Sequence, residues 1–241
     1  MDIKQLEASE VYRVLQDRSR WDPFRHEETD ELLWHELNPD FNNAQHLHIT
    51  AQLGADICLK DGYDTTTTDA VVLTGLVHDA AEAVTGDINF NLKSATDTDD
   101  EVTILDQLVA SGKLPLTDEE LATVKEVMLD SQRAEPETEA GLAFKLSEYV
   151  GYLRTGLQSW HDAGDASKIV TAAQRQNLRW LAVDPIANAL PVIVKYAVYG
   201  SSAMQEFLER EAPTIAEILQ WFDGETREQH AAFYLHAGLP L

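Results

Sequence analysis

Helical spacing runs through nearly the whole chain, and no other periodicity competes with it. His46, Ile49, Leu53 and Ile57 recur at i, i+3, i+7 and i+11, the step of one face of a 3.6-residue helix. Val11, Val14, Leu15 and Arg18 share another face, with Ser9 placed as an N-cap. Thr117 and Glu120 form a capping box ahead of Leu121, Val124, Val127 and Met128. Leu142, Leu146, Val150 and Leu153 mark a longer helix over 137–157. The sequence contains no sustained period-2 alternation, no Asn-Gly hairpin signal and no internal repeat. The predicted fold class is all-α.

Further helices are predicted over 68–83, 166–182, 186–199, 202–211, 213–222 and 226–236. Proline, glycine and charge clusters place loops at 21–41 (with room for a short helix over 31–37), 60–67, 87–100 and 159–165. No Gly/Ser-rich or Pro-rich linker separates the halves. The organisation expected is a core over residues 1–159 and a C-terminal helical extension over 160–241 packed on it.

Charge narrows the partners. The chain carries 18 basic and 42 acidic residues, a net charge of −24. A field of that sign repels phosphate backbones and anionic membrane surfaces, so neither nucleic acid nor a membrane is expected as a partner. Apolar runs such as 190–194 fall far short of the roughly 20 residues that span a bilayer. The first residues show no basic flank followed by an apolar block, so no signal peptide is expected. Cys58 is the one cysteine, which excludes an intramolecular disulfide and points to a cytoplasmic protein. A small anionic substrate stays compatible, because a bound cation inverts the local field.

The segment that carries chemistry is His78-Asp79-Ala-Ala-Glu82-Ala-Val-Thr-Gly86-Asp87. An imidazole beside a carboxylate at the end of an apolar helix is a donor mixture that divalent cations accept. A dipeptide alone is weak, and His161-Asp162 is a second copy in a Gly/Asp-rich stretch with no supporting pattern. His46 supplies the support for the first copy. It lies on an earlier apolar helix face, and two helices each presenting a ligand is how helical bundles build metal sites. His48, two residues on, points elsewhere around that helix and is read as surface or rim.

With His78 following His46 by 32 residues, this run resembles the HD-domain metal-dependent phosphohydrolases, and most of all their bacterial 5′-deoxynucleotidase branch. That resemblance covers about residues 10–155. It implies an HD-type helical bundle with one divalent metal ion (Mn, Co or Mg) held by His46, His78 and Asp79. It implies that Glu82 orients the attacking water and that Asp87 lies at the substrate pocket. It implies that Lys93, Arg20 and Trp21 bind the substrate. The family closes its site with an Asp on a later helix, and here Ser147 stands at the aligned position. Glu148, the neighbouring acid, is the expected fourth metal ligand.

The activity expected from the resemblance is removal of phosphate from deoxynucleoside 5′-monophosphates, with a small nucleotide as substrate. The nearest alternatives are a deoxynucleoside triphosphate hydrolase and a degenerate HD domain that binds nucleotides without turnover. Di-iron oxygenases and bimetallic phosphodiesterases of the same superfamily need additional histidines, and none occurs between Asp79 and Trp160. The extension is expected to close the pocket or to serve as a homodimer interface.

Overall fold

The computed structural model describes residues 2–18, 42–86, 95–165, 172 and 182–221. Every regular element among them is helical, and no strand is present among the described residues. Short polar side chains start the helices. Asp2 accepts from Lys4 N–H ahead of α1 (Ile3–Glu7), and Ser9 accepts from Tyr12 N–H ahead of α2 (Glu10–Gln16). Asn42 opens α3 (Asn43–Asp61) with a reciprocal pair: its Oδ1 accepts from Gln45 N–H at 2.9 Å, and Gln45 Oε1 accepts from Asn42 N–H at 3.1 Å. Asp64 caps α4 (Thr65–Val77) through Thr67 N–H at 2.7 Å.

Then the chain tightens. Val77 leaves helical geometry at φ −136°, His78–Ala81 form a 3-10 turn, and α5 (Glu82–Thr85) follows. The single helix predicted over 68–83 is therefore three elements. α6 (Ala95–Ala110) begins inside the stretch predicted as a loop over 87–100. Thr117 and Glu120 make the predicted capping box for α7 (Asp118–Ser131). α8 (Glu139–Gly164) runs through the loop predicted at 159–165, because Val150, Leu153, Leu157 and Trp160 extend one buried stripe past that polar stretch.

α9 (Val183–Val198) and α10 (Ser202–Trp221) complete the described chain. The two helices predicted over 202–211 and 213–222 are one. Pro213 removes a backbone donor, which costs about 3 kcal/mol in a helix interior. The stripe Met204, Phe207, Leu208, Ile215, Ile218 and Leu219 is buried on both sides of it, and burying each such side chain contributes roughly 1.5–3 kcal/mol. Burial wins. The elements predicted over 21–41 and 226–236 lie outside the described residues, as does the helix predicted over 166–182 apart from residues 172 and 182. No helix of the described residues is long and apolar enough to cross a membrane.

The chain divides into two compact units, Met1–Ala55 with Asp64–Lys145, and Asp56–Tyr63 with Leu146–Leu241. In the first, α4 packs on α7, α6 lies against both the 3-10 turn and α7, and α2 meets α5. Tyr12 is fully buried there and its hydroxyl donates to Leu76 C=O at 2.8 Å, while burial pushes the phenol pKa well up. Asp130 ties α7 to the start of α8 by accepting from Glu137 N–H (2.9 Å), Thr138 N–H (3.0 Å) and Thr138 O–H (2.7 Å). In the second unit α9 packs on α10, and Asp61 accepts from Ala203 N–H at 2.9 Å and Ser201 O–H at 2.7 Å at the start of α10.

Candidate metal centre

Two helices and one tight turn of the first unit bring three donor groups together. His46 stands one turn into α3, and His78 and Asp79 open the 3-10 turn that follows α4. α3 and α4 can bring them together because residue 75 is glycine. A Cβ there would lie 2.6 Å from Ala51 Cα and 2.7 Å from Ala51 N, so any other side chain would force the two backbones apart. Gly75 has a second role, since its carbonyl lies 3.0 Å from His78 Nδ1. A proton on Nδ1 donated to that carbonyl leaves the Nε2 lone pair for a ligand. Phe144 packs edge-on against the His78 ring at 5.3 Å between centroids and holds the other side.

The distances fit an ion. Asp79 Oδ2 lies 3.3 Å from His78 Nε2 and 3.4 Å from His46 Nε2. One ligand atom from each of the three residues lies within 4.8 Å of the others. The imidazole rings are 5.3 Å apart at 67°, so they converge without stacking. Charge-assisted hydrogen bonds run shorter, near 2.7–2.9 Å. Donors at about 2.1 Å from a shared tetrahedral ion are separated by roughly 3.4 Å, which matches. His78 and Asp79 are buried and His46 is nearly so, and a buried carboxylate needs a compensating charge or donors. Two imidazoles and one carboxylate are a donor set that a divalent cation can occupy.

Glu82 opens α5, three residues beyond Asp79, and is 1% exposed. Asn43 Nδ2 donates to its Oε2 at 2.6 Å. The Arg18 guanidinium donates to the Glu82 carbonyl and, at 3.2 Å, to the Ala83 carbonyl, so the backbone of α5 is held as well as its side chain. Gly86 then ends α5 at φ +87°, a left-handed conformation that glycine adopts without strain, and its N–H donates to Glu82 C=O at 2.9 Å.

Of the residues singled out in the sequence, the fold joins His46, His78 and Asp79 in one group. His48 is not in that group: it is half-buried, pairs with Glu7 Oε1 at 3.5 Å and meets the Tyr12 ring edge-on. Glu148 and the buried Ser147 lie on the part of α8 that belongs to the second unit, and neither is a member of the group. Arg20, Trp21, Asp87 and Lys93 lie outside the described residues. Asn43 and the Arg18 guanidinium are the functional neighbours that sequence reasoning missed. Asn43 stands three residues before His46, a helical spacing that puts both on one face, and that was the available signal.

No family model, curated protein or solved structure matches the chain.

Proposed function

We propose that this protein is a divalent-metal-dependent phosphohydrolase that releases phosphate from deoxynucleoside 5′-monophosphates. The observation that carries the reading is the convergence of His46, His78 and Asp79, with a buried acid, Glu82, three residues after Asp79 in the chain. Three protein donors leave coordination positions open, as catalytic sites do and closed structural sites do not. The resemblance of His78–Asp87 to HD-domain 5′-deoxynucleotidases supplies the substrate class. The nitrogen-containing donor set favours Mn²⁺ or Co²⁺ over Mg²⁺, which prefers oxygen.

A divalent ion held by these residues supplies Lewis acidity toward water and toward a phosphoryl oxygen. Asp79 and the two imidazoles orient that ion, and His78 is kept in one tautomer by Gly75 C=O. Glu82 takes the proton from the attacking water at Oε1, its Oε2 being engaged by Asn43. The chain's negative field then concentrates the cation at the site and leaves the ion to attract the anionic substrate.

The test is a screen of nucleoside mono- and triphosphates with Mn²⁺, Co²⁺ or Mg²⁺, reading orthophosphate and tripolyphosphate separately. Orthophosphate from deoxynucleoside monophosphates is the expected result. Tripolyphosphate from the triphosphates would make the protein a triphosphohydrolase instead. Tight nucleotide binding without any product would overturn catalysis and leave a nucleotide-binding module.

A further inference from the structure

A carboxylate as deeply buried as Glu82 needs donors, and one of them comes from the helix that carries His46. Asn43 is 0% exposed, and its Nδ2 reaches Glu82 Oε2 at 2.6 Å. A carboxylate only accepts, so the amide nitrogen must be the atom that faces it, which fixes the carboxamide's orientation. Both ends of this bond are anchored through the backbone. Asn43 N–H donates to the Arg18 carbonyl at 3.1 Å, and the Arg18 guanidinium donates to the carbonyls of Glu82 and Ala83.

The result is a closed ring of hydrogen bonds. It joins the C-terminal end of α2, the first turn of α3, and α5. Asn43 and His46 share one face of α3, and Glu82 opens α5, three residues beyond Asp79. The Asn43–Glu82 bond therefore ties the acid to the helix that delivers one candidate ligand, while the acid itself follows the turn that delivers two. If the bond served packing alone, an apolar pair of the same volume would do as well, without desolvating a carboxylate.

We infer that Asn43 is a positioning residue for Glu82. It holds the carboxylate in one rotamer, so that Oε1 meets the water in the reaction proposed above, on which this role rests. Outer partners of this kind contribute about 10–100-fold to activity when removed.

Three readouts on one set of variants test it. Asn43→Ala should lower kcat by about 10–100-fold with KM and metal content little changed. In Co²⁺-loaded protein at fixed pH, Asn43→Ala should move the visible d–d band in the direction that Glu82→Gln moves it. Asn43→Asp places two acids together and should lower the melting temperature. Asn43→Asp with Glu82→Gln exchanges donor and acceptor and should recover most of that loss. A wild-type kcat and an unmoved cobalt band in Asn43→Ala would overturn the role, as would a swap that recovers nothing. Should Asn43→Ala fail to fold, Asn43→Ser keeps a small polar side chain that is too short to make the bond, and the same loss of kcat is expected from it. A wild-type protein that releases no phosphate, yet whose cobalt band shifts in Asn43→Ala, would lose the hydrolase reading and keep the positioning role.

Discussion

The chain contains the dipeptide His-Asp twice, and the two copies have come to unlike ends. His78-Asp79 lies in a 3-10 turn with both side chains buried, and a third donor from another helix converges on it. His161-Asp162 lies in the last turn of α8. There the histidine is exposed, while the aspartate is buried and accepts from Gln158 Nε2 at 3.1 Å, one turn back on its own helix. An α-helix turns about 100° per residue, so neighbouring side chains diverge, as those of His161 and Asp162 do. In the turn after Val77, by contrast, the two side chains reach toward each other, and His78 Nε2 and Asp79 Oδ2 lie 3.3 Å apart. Identity of residues decides nothing here; backbone geometry and a partner helix do.

The largest difference between the two copies is expected in metal content. His78→Ala, Asp79→Ala and His46→Ala should each empty the site, because each removes a direct ligand. Elemental analysis after dialysis against Mn²⁺ or Co²⁺ is the measurement, and His161→Ala should leave the content untouched. Full occupancy in His46→Ala would remove that residue from the ligand set. Metal added at 100 times its dissociation constant should stabilise the wild-type fold by about 2.7 kcal/mol and should not stabilise these three variants.

Turnover sharpens it next. Glu82→Ala should retain the ion and lose roughly 10²–10⁴-fold in phosphate release, the span of a general base. Unchanged turnover would return Glu82 to a structural acid.

Stability separates the two regions further. Gly75→Ala meets the Ala51 backbone and should cost about 1–3 kcal/mol in denaturant unfolding, with weakened metal binding because α3 and α4 are pushed apart. Gly164→Ala, beside the second His-Asp copy, meets nothing within 4 Å and should stay within about 0.5 kcal/mol of wild type. A neutral Gly75→Ala would show that the two helices can separate without cost.

The smallest effect belongs to Asp162. Asp162→Asn keeps an acceptor for Gln158 and should cost no more than about 1.5 kcal/mol, with no change in metal content. Any loss of metal in that variant would erase the distinction between the copies.

Much of the fold was legible locally. Ser9 and Thr117 with Glu120 are short-range signals that became helix starts, and the spacing from Ile49 to Ile57 became a helix, although Ile49 is exposed and Leu47, Ala51 and Cys58 take its buried face with Ile57. The misses share one cause. Pro213 and the polar stretch around Ser159 are strong local breakers, yet continuous buried stripes carried α10 and α8 through them. The end of α4 failed the other way: an apolar run with no breaker was interrupted at Val77 and tightened into a 3-10 turn.

Helix spacing is a property of nearby residues and could be read along the chain, whereas His46 was grouped with His78 and Asp79, 32 positions away, through the resemblance of that run to HD-domain phosphohydrolases. Tertiary packing was needed to bury Glu82 and to bring Asn43 and Arg18 to it from 39 and 64 positions away. Those outcomes depend on how closely α3 and α4 approach at Gly75, a distance between backbones that no local pattern encodes.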